Sequence, residues 1–228
     1  MLEARKLYLL GDTRALESIA ADFISSAGGT GAKVALLSFG RRWREFLPVY
    51  EKALGVAVQV VVPDENGILD LPRAVEILEH STGIVIGGGP VRAYQRLFVQ
   101  SPLGQVLRES YARGVPFAGI SAEAMLMAEH IAVYGDELEP DLPNTLEGLG
   151  LLEGWLVMPH FTKDALEGRL VDALGELRLS TGWGLDETGA VLLENGVFAR
   201  AYGTKVYRVQ LENFETGFYV KEEIRARR

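Results

Sequence analysis

The 228-residue chain contains no cysteine, which excludes disulfides, thiolate metal sites and a cysteine nucleophile. Histidine is scarce, so only His80, His130 and His160 can supply imidazole chemistry. No apolar run reaches the ~18 residues that a membrane span needs, and the start Met1-Leu2-Glu3-Ala4-Arg5-Lys6 lacks a signal-peptide core. A cytoplasmic protein away from membranes is the expectation. Positive charge is short as well, since the formal net charge is −8. The basic clusters Arg41-Arg42-Trp43-Arg44 and Arg225-Ala226-Arg227-Arg228 read as solvated surface, so nucleic acid is not expected as a partner. Repeats, low-complexity tracts and long linkers are absent. Neither a P-loop nor G-x-G-x-x-G accompanies Gly87-Gly88-Gly89, which weakens a nucleotide reading. No cofactor and no metal is expected.

What remains is a chain with 48% hydrophobic residues, enough to bury the core of a single domain over residues 1–228. Short apolar runs alternate with helical periodicity through its first 130 residues. Leu7-Tyr8-Leu9-Leu10, Val34-Ala35-Leu36-Leu37-Ser38, residues 56–62, Gly83-Ile84-Val85-Ile86 and residues 115–120 read as strands. Leu16, Ile19, Ala20, Phe23 and Ile24 mark one helix between them, and Trp43, Phe46, Leu47, Tyr50 and Leu54 mark another. Uninterrupted apolar strands are buried on both faces, so the pattern predicts a mostly parallel, doubly wound α/β sandwich. Sites in that class form beyond the carboxyl ends of the strands.

From about residue 131 the texture changes. Residues 134–143 form an acidic, proline-bearing loop that is either a lid or a solvated connection. A strand from Trp155, a helix with Leu166, Leu170, Ala173, Leu174 and Leu177, and the hairpin turn Glu194-Asn195-Gly196 follow. Residues 205–220 alternate and predict antiparallel edge strands, which could pair across a homodimer.

Pro116-Phe117-Ala118-Gly119-Ile120-Ser121-Ala122-Glu123-Ala124-Met125 is the most chemically suggestive stretch. An apolar strand ends on glycine, presents one serine and passes into a helix, as a nucleophile elbow does. The unpaired amides that open the helix, Ala122 among them, can hold an oxyanion. Ser121 needs a base. His80 reads as an ordinary helix C-terminal histidine, and His130 is expected at the far end of the helix after the elbow. His160 follows an apolar strand and so joins Ser121 at a strand end. Asp186 and Glu187 follow another strand and point to opposite sides, so one of them can orient His160.

The order nucleophile, histidine, acid resembles the class I glutamine amidotransferase-like (flavodoxin-like) fold, a three-layer sandwich, rather than the α/β-hydrolases. Without cysteine, the serine branch remains: the alpha-aspartyl dipeptidase and cyanophycinase family of serine peptidases. Gly119-Ile120-Ser121-Ala122 resembles its G-x-S-A-G elbow, and Gly148-Leu149-Gly150-Leu151-Leu152 before His160-Phe161 resembles its G-L-G-L-L before H-F. Gly168-Arg169-Leu170 is similar to a following G-R-L. Gly184-Leu185-Asp186-Glu187-Thr188-Gly189-Ala190 is similar to G-I-D-E-x-T-A, whose glutamate is the triad acid, and this favours Glu187 over Asp186. The resemblance implies Ser121, His160 and Glu187 as catalytic residues. It also implies Gly88, Gly89 and Ala122 around the oxyanion, Glu123, Asp164 and Arg169 toward the substrate, and a small peptide as substrate.

The chain departs from that pattern at informative places. Pro90 and Val91 replace polar residues after the G-G turn, and Met158-Pro159 replaces D-Q. Asp164 stands in place of an arginine, which argues against cyanophycin as substrate. Glu123 occupies the second elbow glycine, where it either points outward or reaches toward the serine. Inward, an anion opposes the oxyanion or binds a cationic substrate group such as an α-amino terminus. The alternatives are therefore an active serine peptidase and a catalytically silent relative that binds a small molecule or protein in the same cleft.

Overall fold

The computed structural model describes residues 4–226, so Met1 to Glu3 of the leading segment and Arg227 and Arg228 of the basic tail lie outside the described residues. In chain order the first half comprises β1 (Lys6–Leu10), α1 (Leu16–Ser26), β2 (Val34–Leu37), α2 (Trp43–Leu54), β3 (Val58–Val61), α3 (Leu71–His80), β4 (Gly83–Ile86), α4 (Val91–Tyr94), α5 (Pro102–Ala112), β5 (Phe117–Ile120) and α6 (Ala122–Leu126). The second half comprises β6 (His130–Ala132), β7 (Thr145–Glu147), β8 (Trp155–Pro159), α7 (Glu167–Leu177), β9 (Thr181–Leu185), β10 (Ala190–Glu194), β11 (Val197–Tyr202), β12 (Val206–Asn213) and β13 (Phe218–Ile224).

The main sheet has the order β11-β10-β1-β5-β4-β2-β3. Its strands from β1 to β3 are parallel, and β10 and β11 close one end antiparallel. Successive side chains of a strand face opposite ways. In β1, Leu7 and Leu9 therefore join one core while Tyr8 and Leu10 join the other. Leu16, Ile19 and Phe23 of α1 and Tyr50 of α2 cover one face, and Leu78 of α3 with Leu103 and Leu107 of α5 cover the other. That burial on both faces is why these strands read as unbroken apolar runs. The mostly parallel, doubly wound α/β sandwich expected from the sequence is the observed class.

A second sheet, ordered β13-β12-β9-β8, was not anticipated as a separate unit. The alternating tail does form antiparallel strands, but they belong to this sheet rather than the main one: β12 lies inside it and β13 at its edge. Strands β8 and β9 run parallel within it. Trp183 of β9 stacks on Phe198 of β11 with ring centroids 5.0 Å apart, which joins the two sheets through one apolar core.

A further difference concerns the helix after the elbow, expected to run to His130. It stops at Leu126, and His130 instead opens β6. The segment from Gly148 to Leu152 takes the helix's terminal carbonyls: Leu149 N donates to Leu126 O at 2.8 Å and Leu151 N to Met127 O at 2.9 Å. Satisfying those orphan acceptors ends the helix. Only glycine allows the approach, because a Cβ on Gly148 would lie 2.1 Å from Ala128 O.

Candidate active site

Strand β5 delivers Ser121 at φ 61 and ψ −128, a region that residues other than glycine rarely occupy. Such a conformation costs of order 1–3 kcal/mol and persists only when neighbours impose it. Here Ser121 N donates to Leu10 O of the adjoining β1 at 2.9 Å, and its carbonyl accepts from Ala124 N at 2.9 Å. The elbow is tight at its first glycine, since a Cβ on Gly119 would lie 2.6 Å from Glu123 O. The second glycine of the motif is not sterically required in this chain. Glu123 fits there because its side chain turns inward.

His160 arrives from the other sheet. It follows β8 in a left-handed turn at φ 53, and Asp164 N closes that turn on His160 O at 2.9 Å. Its Nε2 lies 2.8 Å from Ser121 Oγ. The facing carboxylate is that of Glu187, whose Oε1 is 3.7 Å from His160 Nδ1. Arg14 Nη2 at 3.6 Å and Lys163 Nζ at 3.8 Å share the same oxygen. The backbone N–H of Glu187 holds this carboxyl below the ordinary value against the opposing pull of burial, and Arg14, His160 and Lys163 add to the lowering.

Asp186 points the other way, as alternation requires. It is buried, its Oδ1 accepts from Thr162 N at 2.7 Å, and its Oδ2 accepts from the Thr162 hydroxyl. Asp186 therefore fastens the loop that carries His160 without facing the imidazole.

Ser121 opens into a cleft of about 510 Å³ that is also lined by Gly89, Ala122, Met125, Asp136, Asp164 and others. A larger groove of about 1100 Å³ follows the open edge of β3 between α2 and α3, with His80 at its rim but no strand-end nucleophile. The acidic loop forms one wall of the Ser121 cleft and is anchored rather than free. Glu137 accepts from Val91 N at 2.7 Å and Arg92 N at 3.1 Å, and Arg92 Nη2 donates to Pro143 O at 2.9 Å.

The sequence-derived residues do not all converge. Asp164 lines the cleft. Arg169 does not, because its guanidinium donates to Val133 O at 3.1 Å and Asn144 O at 3.0 Å and so ties α7 to the acidic loop. Glu123 is fully buried, away from the position expected of a residue that grips substrate. Its Oε2 accepts from Gly89 N at 3.1 Å, so that amide is engaged beneath the turn rather than offered to an oxyanion. Gly88 stays close to Ser121, where a Cβ would lie 3.4 Å from Ser121 Cβ. Arg14, Lys163 and Glu137 escaped sequence reasoning. The only local hint of the first was its position just beyond the Leu10-Gly11-Asp12 strand end.

The sequence model of peptidase family S51 matches residues 11–200 of this chain. The cyanophycinase of Nostoc sp. (strain PCC 7120 / SAG 25.82 / UTEX 2576) is 23% identical over an alignment of 190 residues that covers 79% of this chain and 64% of that protein. The cyanophycinase of Geminocystis herdmanii (strain PCC 6308) is 25% identical over an alignment of 193 residues that covers 79% of this chain and 70% of that protein. The chain thus spans just under two thirds of the Nostoc relative's length. Among solved structures, a peptidase from an acI-B1 Actinobacterium matches with a TM-score of 0.75 at 23% identity, covering 99% of this chain and 96% of the other. A putative peptidase E protein from Listeria monocytogenes EGD-e matches with a TM-score of 0.65 at 14% identity, covering 97% and 100%. Both structures share the fold.

Proposed function

This chain belongs to peptidase family S51, and on that premise we propose that it is a serine peptidase cleaving short peptides or amides through Ser121, His160 and Glu187. The single observation that carries the reading is the 2.8 Å separation of Ser121 Oγ and His160 Nε2 at a strained strand end. Ser121 Oγ attacks the substrate carbonyl carbon as His160 Nε2 takes the hydroxyl proton. The carbonyl π electrons move onto oxygen, and the Ala122 and Gly88 amides receive that oxyanion. Collapse breaks the C–N bond, and His160 returns its proton to the departing amine. Water then attacks the acyl-Ser121 ester by the same route, releasing the acid and restoring Ser121. Glu187 stabilises the imidazolium electrostatically across 3.7 Å.

Asp136 and Asp164 on the cleft wall favour substrates with a cationic group, the free α-amino end of a short peptide above all. That role passes to them because Glu123 is buried. A fluorophosphonate probe is expected to label the wild-type protein at Ser121 and to leave Ser121→Ala unlabelled. Failure to label well-folded protein, together with no release of amino acids from a dipeptide panel, would refute the proposal.

One observation favours a second reading, a silent family member that binds a ligand in this cleft. The Gly89 amide is already engaged by a carboxyl group. A peptide that raises the melting temperature with no turnover supports that reading, whereas hydrolysis that depends on Ser121 removes it.

A further inference from the structure

Glu123 presents a problem that the proposed reaction leaves unsolved. Its side chain is completely buried two residues after the nucleophile. It makes one hydrogen bond to another residue, from Gly89 N at 3.1 Å to Oε2, and Oε1 has no partner. No Lys, Arg or His pairs with it among the described residues. An uncompensated carboxylate in such a place is strongly disfavoured, and a protein group in that position takes up a proton instead.

The surroundings reinforce this. Tyr50 of α2, Tyr94 of α4, and Tyr134 and Glu137 of the loop after β6 are the titratable groups around it. None of them supplies positive charge. Arg92 of α4 is turned to Glu137 O and Pro143 O, and His130 of β6 sits against Glu129. On the far side of the turn, His160 is bonded to Ser121. The Tyr94 hydroxyl, itself buried without a partner, comes against Gly89, where a Cβ would lie 3.4 Å from it. Burial thus drives the Glu123 carboxyl well above its ordinary value, with its own N–H and that of Gly89 opposing and Glu137 adding to the rise.

We propose that Glu123 acts as a neutral carboxylic acid that positions the Gly88–Gly89 turn beside Ser121, and that loss of its proton shuts the oxyanion site. This rests on Ser121 being the nucleophile. In the acid form the carbonyl oxygen accepts the Gly89 N–H, which fixes the peptide plane leading back to Gly88 and adds no charge. In the ionised form a negative charge lies directly behind the amides that must receive an oxyanion, and it opposes the charge that develops there. Glu123 is a positioning residue and does not touch substrate.

The test follows the rate of fluorophosphonate labelling at Ser121 against pH in wild type, E123Q and E123A, beside infrared detection of the protonated carboxyl C=O band. Wild type should show a fall of about tenfold per pH unit as Glu123 ionises. E123Q, a permanent neutral mimic, should lose the fall. E123A frees Gly89 and should label about 10²-fold more slowly at neutral pH, in the range of losing one oxyanion donor. The carboxyl band should persist at neutral pH in wild type and be missing from E123Q. Superimposable wild-type and E123Q profiles, with Ser121 labelled in both, overturn this inference alone. No labelling at any pH overturns the peptidase reading and this one with it. If E123Q does not fold, the wild-type band decides: persistence to neutral pH supports the inference, and loss in the ordinary carboxylate range overturns it.

Discussion

Asp186 and Glu187 are adjacent in sequence, yet the proposed mechanism gives them separable jobs, and substituting them one at a time should separate stability from catalysis. In Asp186→Ala, Thr162 loses the acceptor for both its amide and its hydroxyl inside a buried site. Hydrogen bonds to a charged acceptor are worth about 1.5–3 kcal/mol each. Removing the buried charge returns part of its desolvation cost, which leaves a net loss of about 2–4 kcal/mol out of a typical 5–15. The Lys205 ammonium, 3.9 Å from Asp186 Oδ2 and mostly exposed, changes this little. Glu187→Gln should leave stability within about 0.5 kcal/mol, because its partners are surface cations. Its effect falls on the imidazolium. Unit charges 3.7 Å apart attract by about 1 kcal/mol at the permittivity of water and about 4.5 kcal/mol at an effective permittivity of 20. Competition from Arg14 and Lys163 for the same oxygen places the loss near 1.5–3 kcal/mol, a labelling rate about 10- to 150-fold slower. Urea denaturation followed by fluorescence gives the first quantity, and fluorophosphonate labelling at neutral pH gives the second. Asp186→Asn, which keeps one acceptor for the Thr162 amide, should fall between wild type and Asp186→Ala in stability. The assignment is refuted if Glu187→Gln labels at the wild-type rate while Asp186→Ala loses labelling at unchanged stability.

Two further outcomes follow from the same geometry. Glu123 has a raised folded-state pKa, so its contribution to stability is fully present below the ordinary glutamate value and declines as pH rises toward the folded one; thermal melts should show the advantage of Glu123→Gln over wild type growing from acid to neutral pH, and a constant difference contradicts this. Asp164→Asn should raise KM for dipeptides with a free amino end about 3- to 10-fold, in the range of one partly solvated ion pair, and leave kcat and N-acetylated substrates nearly unchanged; an equal effect on both substrate types contradicts an amino-end contact.

Local signals explain what could be read from the sequence. Ser121 was legible because an elbow is made by its own neighbours: an apolar strand, Gly119 and a helix start within a few residues. His160 was legible because only three histidines exist and one of them ends a strand. What escaped depends on partners distant in the chain. The length of α6 is set by amides from Gly148 to Leu152, so helical periodicity after Ser121 overran toward His130. The direction of Glu123 depends on space beneath the Gly87-Gly88-Gly89 turn, more than thirty residues earlier. Arg169 carries the residue type of a substrate contact, but its backbone-carbonyl partners belong to a loop whose path no local pattern encodes. Strands β8 and β9 look like any short apolar strand, and pairing alone puts them in a second sheet.

That second sheet gives the site a property that neither strand end has by itself. The serine is presented by one sheet and the imidazole by the other, and the two are joined across a core that includes the Trp183–Phe198 stack. On the proposed mechanism, the Ser121–His160 separation would act as a vernier on the docking of the two sheets, with displacements of a few tenths of an ångström read out as changes in nucleophilicity. Repacking substitutions at Trp183 or Phe198, far from any substrate, should register in Ser121 reactivity before they register in secondary structure. On that mechanism, a lineage carrying this architecture would be able to tune Ser121 reactivity from within its core and leave every residue of the cleft untouched.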